Sequence, residues 1–180
     1  MKIPMDNVFA LAVDVQEKLF PHINNHEILL ENMLKLIKGL KLLEVDFVLN
    51  EQYPKGIGHT IAPIKELLQN DVAHEKVTFS CCQTEETMDL IKKEGRKFVI
   101  VFGIEAHVCV LQTVLDLIDA RLVPILVTDC IGSRKENDKN VAISRMMQAG
   151  AIPTTYESLL FELCGSAKHS AFRAISALIK

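Results

Sequence analysis

Residues 98–103 read F-V-I-V-F-G. Five consecutive aromatic and β-branched residues suit a strand covered on both faces, the pattern of a parallel sheet. Gly103 closes the run, and Val110, Leu111, Val114, Leu117 and Ile118 then recur at helical spacing over 107–120. A buried strand followed by an amphipathic helix is half of a βαβ unit, and the rest of the chain repeats it. V-F-A-L-A-V at 8–13 is a second continuous apolar run, ending at Asp14, and Leu30, Met33, Leu34, Ile37 and Leu40 give its helix. Further strands are expected at 45–49, 76–79, 124–127 and 151–154. Further helices are expected at 61–68, from Thr84, at 138–149 closed by Gly150, and from Tyr156 and Ser170. The alternation predicts one domain over residues 1–180. Its fold is a three-layer, doubly wound α/β structure with a mostly parallel six-stranded sheet in the order 3-2-1-4-5-6 and helices on both faces.

Composition supports a packed core and excludes several function classes. The chain has 180 residues, 49% of them apolar and 24% charged, with net charge −3. Such a chain is neither disordered nor generally attracted to nucleic acid or anionic membrane. No apolar run is long enough to span a bilayer, and residues 1–8 lack the basic-then-apolar order of a secretory leader. The five cysteines (81, 82, 109, 130 and 164) are an odd number without a C-x-x-C pair. A reducing compartment is expected, the cytoplasm first, with mitochondria or another organelle left open. The six histidines form no compact metal spacing.

Ligands of doubly wound sheets bind beyond the carboxyl ends of the strands, where strand order reverses. Strands 1 and 4 flank that crevice, which places Asp14 and Cys109 at it; the pattern does not by itself bring Lys76 there. At a helix start, Cys109 meets free N–H groups and positive potential that favour thiolate and can receive an oxyanion. Residue pattern alone also allows Cys109 to be a small buried apolar residue, and Asp14 a turn residue.

Three motifs alter that balance: A-V-D-V-Q at 12–16, E-K-V-T-F-S at 75–80 and G-I-E-A-H-V-C-V at 103–110. In this order they resemble the isochorismatase-like cysteine hydrolases. N-E-Q-Y-P-K-G-I-G at 50–58, D-C-I-G-S-R at 129–134 and R-M-M-Q-A-G-A at 145–151 resemble the subgroup of isochorismatase-domain-containing proteins. The resemblance implies a triad. Asp14 is the general base, Lys76 holds Asp14 and the sulfur by charge, and Cys109 attacks a carbonyl to give a thioester-like intermediate. It implies a cis peptide at Ile104–Glu105, with the Glu105 and Cys109 N–H groups as an oxyanion hole. It also implies a homo-oligomer and a small amide, ureide or related substrate. The D-x-H metal spacing of nicotinamidases is absent from residues 50–54, so no metal and no cofactor is expected. Gln16, Phe20, Tyr53 and Phe79 are the expected pocket residues, with Phe20 and Phe79 equally open to a packing role. A non-catalytic interaction protein and a redox-reactive thiol protein are the alternatives.

Overall fold

A computed structural model describes residues 2–69, 71, 73–93 and 95–180; Met1, at the head of the N-terminal stretch read above, lies outside them. Six strands form a single sheet: β1 (Val8–Val13), β2 (Phe47–Gln52), β3 (Ala73–Lys76), β4 (Phe98–Ile104), β5 (Val123–Gly132) and β6 (Ile152–Thr154). Every pairing is parallel, and the order is β3-β2-β1-β4-β5-β6. The doubly wound sheet expected from the alternation is the one observed. β1 and β4 are buried along their whole length, as their unbroken apolar runs require.

The strand pleat sends alternate residues to two separate cores. Val8, Ala10 and Ala12 of β1, with Phe98, Ile100, Phe102 and Ile104 of β4, face the first core. That core is closed by α1 (His26–Leu42), α3 (Ala62–Leu67), α7 (Tyr156–Cys164) and α8 (Phe172–Ile179). Phe9, Leu11, Val13, Val99 and Val101 face the second core, closed by α4 (Glu85–Lys93), α5 (Leu111–Asp119) and α6 (Glu136–Ala149). The short α2 (Pro54–Ile57) caps the loop after β2.

Several boundaries differ from those expected. The third strand is 73–76, not 76–79. Val77 and Phe79 looked like strand residues but are exposed, and the strand is fixed instead by pairing His74 with Asn50 and Lys76 with Gln52. This earlier register brings Lys76 to the carboxyl end of the sheet, where the residue pattern had not placed it. β2 also starts two residues later than expected and ends three later, at Gln52. β5 extends five residues past Val127, with a register jump: Val101 pairs with Leu126, but Gly103 pairs with Ile131. The stretch expected to begin a helix at His107 first forms a π-helical turn, Ala106–Val110, and α5 starts only at Leu111.

At the carboxyl end, β1 and β4 approach so closely that only glycine fits. Gly103, at φ +128°, lies opposite Val13, and a Cβ there would stand 2.1 Å from the Val13 carbonyl oxygen.

Candidate active site

Asp14 leaves β1 in a left-handed conformation (φ 51°), which Asp tolerates better than most residues. Its N–H donates to the Asn50 carbonyl at 3.0 Å, anchoring the turn to β2. Its side chain is fully enclosed and meets Lys76, itself buried, with Nζ 2.7 Å from Oδ2. The two residues are 62 positions apart in the chain. The other carboxylate oxygen, Oδ1, is buried and accepts no hydrogen bond. Cys109, buried in the second core, lies close enough to this pair for each to influence the others' ionisation.

The electrostatics correct one expectation. Burial, followed by the negative charge of Asp14, pushes the Cys109 thiol well above the ordinary range, and Lys76 only partly offsets this. That direction opposes the thiolate that a helix start favours. Cys109 also sits within a π-helical turn rather than at the start of an α-helix. Burial likewise raises Asp14, against the pull of Lys76. Burial opposes the charge on Lys76, but its neighbours, Asp14 foremost, outweigh it, and its net shift is upward. Asp14, Lys76 and Cys109 thus form one interacting group in which each charge acts on the others and one Asp14 oxygen is unpaired.

The Ile104–Glu105 peptide is cis. The Glu105 carboxylate accepts from both the N–H and the Nε of Arg134, at 3.0 and 3.1 Å. His107 sits beside it, with Nδ1 3.1 Å from Ser133 Oγ.

The four expected pocket residues divide. Tyr53 and Phe79 are about half exposed, at 54% and 52%. They flank Lys76: the Tyr53 N–H donates to the Lys76 carbonyl at 2.8 Å, and the Phe79 carbonyl accepts from Lys76 Nζ at 3.0 Å. Phe20 is a core residue instead, packed edge-on against His26 under α1. Gln16 is buried and its amide is consumed by backbone. Nε2 donates to the Gln52 and Gly58 carbonyls, and Oε1 accepts from the Gln52 N–H at 2.7 Å. It clamps the loop after β2 and has no donor left to offer a substrate.

Sequence reading passed over Glu51 and Gln52. Glu51 is buried and accepts from the Thr60 N–H and hydroxyl, both at 2.7 Å, and pairs with His59 at 2.9 Å. Although burial acts against its charge, these bonds hold its carboxyl below the ordinary value. Among the described residues, no three His, Cys, Asp or Glu side chains gather in a way that could hold a metal ion.

A doubly wound parallel sheet brings an acid, an ammonium and a thiol together at its reversal point. The chain belongs to the isochorismatase family, whose domain model matches residues 9–158, and that fold supports a hydrolase. Human isochorismatase domain-containing protein 2 is 35% identical, over 99% of this chain and 85% of that protein. The solved structure of the MAR1 ribonuclease of Caenorhabditis elegans is 38% identical, with a TM-score of 0.94, covering 99% of this chain and 92% of that one. The YcaC protein of Escherichia coli, described as an octameric hydrolase of unknown specificity, shares the fold at 22% identity and a TM-score of 0.94, covering 99% of this chain and 89% of that one.

Proposed function

We propose that the protein is a cysteine hydrolase of small amides, ureides or related carbonyl compounds, working without a metal through Asp14, Lys76 and Cys109. The observation that carries this reading is the buried Asp14–Lys76 pair, with one Asp14 oxygen unpaired and the Cys109 thiol close enough to act on both residues. Asp14 takes the thiol proton as sulfur bonds to the carbonyl carbon, so thiolate forms only during attack. The Glu105 and Cys109 N–H groups receive the developing oxyanion. Collapse expels the amine, which takes the proton back from Asp14, and leaves a thioester. Water, deprotonated by Asp14, then attacks the thioester carbon; sulfur departs and regains the proton as the acid leaves. Lys76 remains charged throughout and steadies each anion. Tyr53 and Phe79 wall the mouth.

The test is turnover of a panel of small amides, ureides and esters by the wild type and by Cys109→Ala, with mass spectrometry for an acyl adduct on Cys109. Loss of turnover and adduct in the variant is expected; unchanged turnover sinks the reading. If the panel stays blank and Cys109 resists alkylation, the non-catalytic interaction protein takes its place. The redox reading ranks last, since thiol oxidation follows thiolate character and burial works against a thiolate here; ordinary peroxide kinetics at Cys109 would remove it.

The name of the C. elegans relative motivates a second reading, cleavage of RNA. A net charge of −3 offers a polyanion no general attraction, which sets this reading behind a small molecule. RNA cleaved by the wild type and spared by Cys109→Ala would reverse that order. No described helix is long and apolar enough to cross a membrane. The octamer is a property of YcaC; for this chain a homo-oligomer is a proposal that light scattering would test, as is residence in the cytoplasm.

A further inference from the structure

The Lys76 ammonium is enclosed by four oxygens. Asp14 Oδ2 lies at 2.7 Å, Gln52 Oε1 at 2.9 Å, the Phe79 carbonyl at 3.0 Å and the Thr78 carbonyl at 3.2 Å. An ammonium has three protons, so all are engaged and the two carbonyls share the remainder. The side chain is 1% exposed. Lys76 thus has no proton free for a substrate or leaving group, and its part in the reaction is that of a fixed charge.

Two of the four acceptors are carbonyls two and three residues along its own chain, and they move with it. The other two come from elsewhere in the sheet: Gln52 from the adjacent β2, and Asp14 from the turn that follows β1. Of these, Gln52 is the neutral one, and everything around it fixes its direction. Its Nε2 donates to the Val77 carbonyl at 2.9 Å while its Oε1 faces Lys76. An ammonium needs an acceptor and a carbonyl needs a donor, so the amide cannot turn over. Its backbone is gripped on both sides by Gln16, through N–H and carbonyl.

We propose that Gln52 is a positioning residue for the reaction: its amide bridges the Lys76 ammonium and the Val77 carbonyl and, anchored by Gln16, fixes the charge beside Asp14 and Cys109. This rests on the cysteine-hydrolase reading for its purpose, but not for its geometry, and two measurements separate them.

The first is proton exchange at Lys76 Nζ, followed by nitrogen-15 NMR and assigned with Lys76→Met. The caged ammonium should be protected in the wild type. In Gln52→Met, which keeps the shape and loses the acceptor, exchange should quicken at least tenfold. In Gln52→Glu, which keeps an oxygen in reach, protection should persist. The second is the rate at which iodoacetamide alkylates the Cys109 peptide at fixed pH, expected to fall about tenfold in Gln52→Met, at a temperature where its thermal melt shows the variant folded. Unaltered Lys76 exchange in Gln52→Met overturns the proposal. If that variant does not fold, Gln52→Glu decides alone, and loss of protection there overturns it. If Lys76→Met alkylates as fast as the wild type, the hydrolase reading has failed instead, whatever Gln52 does.

Discussion

The two faces of the sheet follow different rules. The core beneath α1, α7 and α8 is filled by aliphatic and aromatic side chains from alternate positions of every central strand. Each core holds two buried cysteines, 130 and 164 in the first and 81 and 109 in the second beneath α4, α5 and α6; what sets the second apart is the chain of polar groups buried beside it. On that side the Asn50 amide oxygen accepts from the Thr87 hydroxyl at 3.1 Å, and Thr87 meets His74 Nδ1 at 2.8 Å. Thr113 Oγ1 accepts from the Cys81 N–H at 2.9 Å. Asn50 Nδ2 is buried and donates to nothing. Buried polar groups cost stability unless paired, so one face concentrates packing energy while the other gives some of it up to hold reactive and polar groups in place.

That contrast can be broken by mutation. The largest effect on chemistry should come from Cys109→Ala, with hydrolysis reduced by about 10³-fold or more while the melting temperature stays near the wild-type value. On the other face, Phe102→Ala should cost about 3–5 kcal/mol in denaturant unfolding by opening a cavity. It should leave the pH dependence of Cys109 alkylation unaltered; a shift there would mean the two cores are coupled through the strand. Gly103→Ala drives a methyl into the Val13 carbonyl at a strained φ, with a cost on the order of 2–4 kcal/mol. Unlike Phe102→Ala, it should also slow alkylation, since it separates the strands carrying Asp14 and Cys109. Thr87→Val should cost about 1–3 kcal/mol by stranding the Asn50 oxygen.

The smallest effect expected is on pH. Burial, opposed by Glu86, holds His74 below its ordinary pKa. Its folded-state value being depressed, its contribution to stability is present above the unfolded value of about 6.5 and is lost as pH falls through the folded one. Thermal melts between pH 7 and 5 should therefore lose stability more steeply in the wild type than in His74→Gln. Equal slopes would show that the Thr87 hydroxyl does not depend on the protonation of His74.

Much of this was legible in residue order. The runs 8–13 and 98–102 declared doubly covered strands, and alternation with helices gave the sheet order without any knowledge of contacts. The same logic placed Asp14 and Cys109 at the reversal point. Lys76 needed more, because its strand is short and largely exposed, so pairing with β2 rather than hydrophobicity sets its register. Phe20 and Gln16 illustrate a second limit. Proximity to Asp14 in sequence said nothing about which way the chain turned after it, and both side chains went to structural duties. The electrostatics of Cys109 were only partly legible: a helix start can be read from sequence, but the burial and the neighbouring Asp14 that act against a thiolate cannot. Gln52 was invisible because its function lies in the direction of one amide, which no spacing rule encodes.

The glycine at 103 bears on how this scaffold can change. It has no reactive group, yet its missing side chain sets the gauge between the strand that ends in the acid and the strand that leads to the sulfur. Redesign toward bulkier molecules cannot widen the site from beneath without losing that gauge. Tyr53 and Phe79, half exposed beside Lys76, are where side chains can be exchanged without touching that spacing.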